Sequence, residues 1–105
     1  MAYDIYYHTA DGKQVGRERV GYIDEAAHAT LNSVLAAHPG RFPILRRIED
    51  PYGTATVGGE DLVRMLTELG EVFRVAPHVR EALTDLARVV QDAHERRLGL
   101  FCAGD

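Results

Sequence analysis

The sequence predicts an α+β domain of two layers, an antiparallel sheet covered by helices on one face, with the element order ββαββααβ. Three observations predict it. The stretch 41–59, RFPILRRIEDPYGTATVGG, reads as a β-hairpin running into a helix start. Segments 60–75 and 77–97 carry apolar residues at helical spacing, whereas segment 2–9 alternates as a strand does and 98–103 is a short apolar run. A chain of 105 residues that is 46% hydrophobic suits one domain, residues 1–105, with a single core.

In segment 2–9, Tyr3, Ile5 and Tyr7 share one face and Asp4, Tyr6 and His8 the other. Asp11-Gly12 supplies turn chemistry, and 15–23 reads as a second strand interrupted by Arg17, Glu18 and Arg19. Charges at that position suit a sheet edge, where they discourage pairing between molecules. Asp24 is a good N-cap, and Ala27, Leu31, Val34 and Leu35 form the stripe of a first helix over 24–37. His38-Pro39-Gly40 stops it, because the residue before a proline avoids the α region and glycine accepts a helix-end conformation.

In the hairpin, Phe42, Ile44 and Ile48 share a parity, and Asp50-Pro51-Tyr52-Gly53 has the residue types of a tight turn. Thr54, Ala55, Thr56 and Val57 form the return strand, and Gly58-Gly59 ends it. Glu60 and Asp61 open a second helix with the stripe Leu62, Leu66, Leu69 and Phe73, flanked by Met65 and Val72. Pro77 begins a third, over 77–97, with Val79, Leu83, Leu86, Val90 and Ala93 inward. The closing run through Leu98, Leu100, Phe101 and Cys102 is apolar at both parities, which suits a strand away from the sheet edge.

Charge and composition narrow the function. A net charge of −4 argues against sequence-independent nucleic-acid binding, which draws on an excess of Lys and Arg at phosphates. No secretory leader is read at the N-terminus and no apolar run approaches the roughly 20 residues of a membrane span. A single cysteine fits a reducing cytoplasm. Abundant Ala, Arg, Gly, Leu and Val beside one lysine fit a GC-rich bacterial coding bias.

Candidate chemistry is sparse. His8, His28, His38, His78 and His94 include no pair at the three- or four-residue spacing that puts two imidazoles on one metal, so no metal is expected. His94 borders the stripe of the third helix and reads as a partly buried ring. Cys102, flanked by Phe101 and Ala103, reads as a core thiol and not as a nucleophile. Gly58-Gly59 precedes a helix, but Glu60 and Asp61 already occupy the positive end of its dipole and repel a phosphate. No nucleophile elbow, Walker loop or carboxylate pair is present, and neither a catalytic residue nor a cofactor is assigned.

Arg46 stands out, since strand alternation points it with Phe42, Ile44 and Ile48 toward the helices, where an unpaired charge is costly. Either it pairs with a helix carboxylate or reaches the sheet margin, or it lines a cleft for an acidic ligand. The other sheet face would carry Tyr6, His8, Leu45 and Arg47, a mixture of ring, apolar and cationic groups common at interfaces, through which two copies could pair as a homodimer. Acidic residues, among them Glu81 and Asp85, recur on the outer faces of the second and third helices while Arg41, Arg46 and Arg47 gather on the hairpin with Tyr52. Such a molecule is electrically two-sided.

The segment Ile48-Glu49-Asp50-Pro51-Tyr52-Gly53 resembles the I-[DE]-P-Y-G type of turn in small uncharacterised bacterial proteins, over the hairpin and the helix after it. In size, acidity and α+β pattern the chain is also similar to small immunity proteins that neutralise bacterial toxins. Neither resemblance transfers a catalytic residue. The expected function is therefore protein–protein binding by a small cytoplasmic bacterial protein, an immunity or inhibitor-type module. The alternative is a small-ligand-binding or enzymatic domain with a cleft lined by Arg46.

Overall fold

A computed structural model describes residues 2–104. The first strand, β1 (Ala2–His8), sits inside a five-stranded antiparallel sheet. On one side it pairs with both β2 (Gln14–Val15) and β3 (Gly21–Asp24), which follow each other along the same edge of β1. On the other side it pairs with β5 (Gly99–Ala103), and β5 in turn with the outer strand β4 (Thr54–Val57). The α+β class and the central place of the last strand are those expected from sequence.

The expected second strand over 15–23 is split in two. Residues 16–20 leave the ladder at the charged interruption, Gly16 takes a left-handed φ of 78°, and the Val20 amide rejoins by donating to the Ile5 carbonyl at 2.8 Å.

Three helices, α1 (Glu25–Ala37), α2 (Glu60–Val75) and α3 (Arg80–Glu95), cover one face, with α3 packed against both α1 and α2. Tyr3, Ile5, Tyr7, Ile23, Val57, Leu100 and Cys102 meet them from the sheet. The stripe of α3 is buried as its spacing predicts, after a 3₁₀ turn over Pro77–Val79. On α2 the buried stripe is Leu62, Met65, Leu69 and Val72, so the helix is rotated from the expected face and Leu66 and Phe73 are only half-buried. His94 is exposed, contrary to expectation. Among the described residues no helix is long and apolar enough to cross a membrane.

The hairpin is the main correction. Residues 42–48 do not form a strand; Leu45–Ile48 is a 3₁₀ turn, and β4 takes its partner from β5. Phe42 adopts φ 60°, and Pro43 lacks the amide a ladder needs. Ile44, Leu45 and Ile48 are all buried, a one-sided helical spacing that parity counting misreads. The Glu68 carboxylate on α2 accepts hydrogen bonds from the Ile44 and Leu45 amides, at 3.1 and 2.9 Å, and so caps this turn.

Arg46 consequently points elsewhere. Its guanidinium donates to the carbonyls of Leu35 and His38, both at 2.8 Å, and of Arg41 at 2.7 Å, closing the C-terminus of α1. Three of its donor contacts are thus to backbone carbonyls, and its nearest carboxylate is Glu49 at 3.7 Å.

Candidate functional site

The Asp50 turn lies against the flank of α1. Asp24 caps that helix, accepting from the Ala27 amide at 2.7 Å, and Glu25, His28, Ala29 and Asn32 then recur along one flank at i, i+3, i+4 and i+7. Two of them hold the chain that enters the turn. The His28 Nε2 lies 2.6 Å from the Ile48 carbonyl, and the Asn32 side-chain amide donates to the Glu49 carbonyl at 2.9 Å. Because a carbonyl only accepts, His28 Nε2 carries the proton of this bond.

The turn then closes on itself. Asp50 accepts from the Tyr52 amide through its carboxylate at 2.9 Å, and from the Gly53 amide through its carbonyl at 3.2 Å. Gly53 is in turn bound by the Gly104 amide at 2.9 Å. Tyr52, so placed, is 68% exposed.

Between the helix flank, the turn and the start of β1 lies a cavity of about 220 Å³, lined by Tyr3 and Ile23 from the sheet, by the four α1 residues, and by Pro51 and Tyr52. Tyr3 is 2% exposed and its ring meets His28 edge-on, with centroids 5.0 Å apart. Two buried polar atoms of this lining, the Tyr3 hydroxyl and Asn32 Oδ1, have no hydrogen-bond partner among the described residues. Buried polar groups are nearly always bonded, so two exceptions in one cavity wall single this cavity out as the candidate site. Burial foremost, then the neighbouring Cys102 and Asp50, raises the Tyr3 phenol above its ordinary range, so it stays a neutral hydroxyl.

The residues singled out from sequence fall in separate places. Tyr52 belongs to the cavity. Tyr6 and His8 lie on the open sheet face beside Phe101, the His8 ring stacked on it at 5.1 Å and the Tyr6 ring tilted to it at 6.5 Å. Leu45 is not on that face but in the core, and Arg47 is held by Asp61 of α2 at 2.9 Å. Tyr22, 46% exposed with Arg19 over its ring at 4.4 Å, lies on β3 with its side chain away from the helices.

Glu81 and Asp85 are exposed on α3, and Asp85 is bound by Arg88 at 2.7 Å. Of the arginines gathered near the turn, Arg41 pairs with Glu71 and Arg47 with Asp61, both on α2. At the far end of β1 a broad, open groove runs past His8, Gly58, Glu60, His94 and Arg97. Among the described residues no three His, Cys, Asp or Glu side chains are grouped to hold a metal.

Tyr3, Glu25, His28 and Asn32 were not picked out by sequence reasoning. One signal was available: His28 borders the stripe of α1 as His94 borders that of α3, and the reading given to His94 describes His28. Compared with family models, curated proteins and solved structures, the chain matches none.

Proposed function

We propose that the chain works by binding another protein, and that it does so by receiving one of that protein's protruding side chains in the cavity beside Tyr52. The observation that carries this reading is the pair of unpartnered polar atoms, Tyr3 hydroxyl and Asn32 Oδ1, in a cavity rimmed by the most exposed large ring of the described chain. Exposed tyrosines are favoured anchors at interfaces, with a large contact area and a polar tip. The cavity volume of about 220 Å³ is below the roughly 300–1,000 Å³ usual for drug-sized ligands and suits a single side chain.

Chemistry at the cavity is not favoured. The one thiol, Cys102, lies in the core with its pKa pushed up to about 12 by burial, and His28 spends its N–H on a backbone carbonyl. Binding without reaction is what an inhibitor or immunity-type module requires. The bacterial cytoplasmic setting rests on composition and on that single thiol. A small-ligand-binding domain is the rival reading, and it too would use this cavity, since Arg46 is committed to three carbonyls.

Pairing of two copies through the open sheet face is a further reading, favoured by the half-buried rings of Tyr6, His8 and Phe101. The test of the main proposal is capture from the source organism with immobilised wild-type protein beside Tyr52→Ala, Phe101→Arg and the double reversal Glu81→Arg, Asp85→Arg. A partner lost only with Tyr52→Ala supports the cavity. One lost only with the reversal moves the site to α3, and one lost only with Phe101→Arg moves it to the sheet.

A further inference from the structure

The unmet hydrogen-bonding capacity of the cavity is lopsided. Asn32 Oδ1 can only accept, because the same amide already donates to Glu49. The Tyr3 hydroxyl can accept as well as donate. Glu25 adds a carboxylate to the wall, and no lysine or arginine lines it. Asp50 stands close enough to Tyr3 to act on its hydroxyl electrostatically. The cavity begins at the first turn of α1, where Asp24 takes the Ala27 amide and the Glu25 carboxylate sets a negative charge against the positive end of the helix dipole.

An occupant that only accepts, or that carries negative charge, would leave Asn32 Oδ1 unpaired and face Glu25. An aliphatic one would leave both polar atoms unpaired. Asn32 Oδ1 and the Glu25 carboxylate together ask for a donor with positive charge. Of the side chains that qualify, arginine matches best. Its planar fork can donate to Asn32 Oδ1 and to the Tyr3 oxygen together, and its flat face can lie on the Tyr52 ring, an arrangement an ammonium cannot reproduce.

Resting on the proposal that this cavity holds a partner's side chain, we infer that the side chain is an arginine of the partner protein, its guanidinium held by Asn32 and Tyr3 against Tyr52 with Glu25 at the rim. The experiment is a titration of ¹⁵N-labelled full-length protein with N-ethylguanidinium, n-butylammonium, butyramide and butyrate, and with the blocked tripeptide acetyl-Gly-Arg-Gly-amide. N-ethylguanidinium is expected to shift the Asn32 side-chain amide and the Tyr52 backbone amide saturably, more tightly than butylammonium, while butyrate leaves them unmoved. The tripeptide should bind more tightly still.

Tyr3→Phe, which keeps the ring, should weaken guanidinium binding about fivefold, the scale of one lost hydrogen bond. Glu25→Gln should weaken it and flatten its salt dependence. Butyrate or butyramide binding as well as the cations overturns the inference while leaving the cavity a binding site, and so does a set of cations that shift nothing. A tripeptide no better than N-ethylguanidinium overturns the assignment to a protein side chain and points to a free small cation. Failure of the underlying reading looks different: the captured partner is then indifferent to Tyr52→Ala whatever the probes do.

Discussion

Replacing Arg46 by methionine tests directly whether the arginine that looks functional in sequence is structural. Its guanidinium donates three hydrogen bonds of 2.7 to 2.8 Å to the carbonyls of Leu35, His38 and Arg41, and its ion pair with Glu49, at 3.7 Å, is partly exposed. Charge-assisted hydrogen bonds contribute about 1.5–3 kcal/mol each but are not additive within one side chain. Because the side chain is 28% exposed, water reaches part of the site and recovers some of the loss. The expected cost of Arg46→Met is therefore about 2–3 kcal/mol, a substantial share of the 5–15 kcal/mol that holds a domain together. Urea denaturation followed by circular dichroism measures it, with an unchanged slope as the check on two-state behaviour. Arg46→Lys should recover less than half, since an ammonium on a single stem does not fork to three carbonyls. A neutral Arg46→Met that nonetheless abolishes partner capture would refute the capping account and restore the reading of Arg46 as a ligand-facing cation.

Leu83→Ala, at a fully buried position of α3, should cost about 2–5 kcal/mol, whereas Leu66→Ala on the half-buried side of α2 should cost less than about 2; equal losses on denaturation would mean that α2 is rotated back toward the face its sequence suggests. Stability should fall in alkali. The folded chain holds the Cys102 proton to about 12 against an ordinary 9.0, by burial, and the Tyr7 proton to about 12 against 10.0, by burial and then by its bond to Asp92. Above those ordinary values the unfolded chain ionises while the folded one does not, so their contribution is whole below pH 9 and lost as pH rises toward 12. Urea midpoints for wild type and Cys102→Ala across that range should converge, and parallel curves would contradict it. For the open sheet face, sedimentation of wild type beside Phe101→Arg at high micromolar concentration should show association lost in the variant; a wild type that is wholly monomeric rules out the pairing.

The parts of the fold that were legible in the sequence are those written in one period over many residues. The alternation of Tyr3, Ile5 and Tyr7 placed the inner face of β1, and Val79, Leu83, Leu86, Val90 and Ala93 placed α3 against it. The stretch 42–48 was misread because four apolar residues fit two periods, and the deciding facts are the φ of Phe42 and the capping carboxylate of Glu68 brought in from α2. Leu66 lost its place to Met65 because a stripe with apolar neighbours on both sides does not fix the rotation of its helix. The cavity was out of reach for another reason. Tyr3, Asn32 and Tyr52 belong to three elements, and only the His28 and Asn32 bonds to residues 48 and 49 bring the turn to the helix. Tyr52 alone was visible, as an aromatic residue in an exposed turn.

The account turns on the Tyr3 hydroxyl serving a bound partner and not the fold, and Tyr3→Phe separates the two in one variant by measuring its denaturation midpoint and its affinity for the captured partner side by side. A hydroxyl with no protein partner has no such bond to lose, so the midpoint should stay or rise, by up to about 1 kcal/mol of stability, while affinity falls about fivefold. A variant that is destabilised by about 1 kcal/mol or more and binds its partner as wild type does would show the hydroxyl to be structural, and the cavity would not be the binding site.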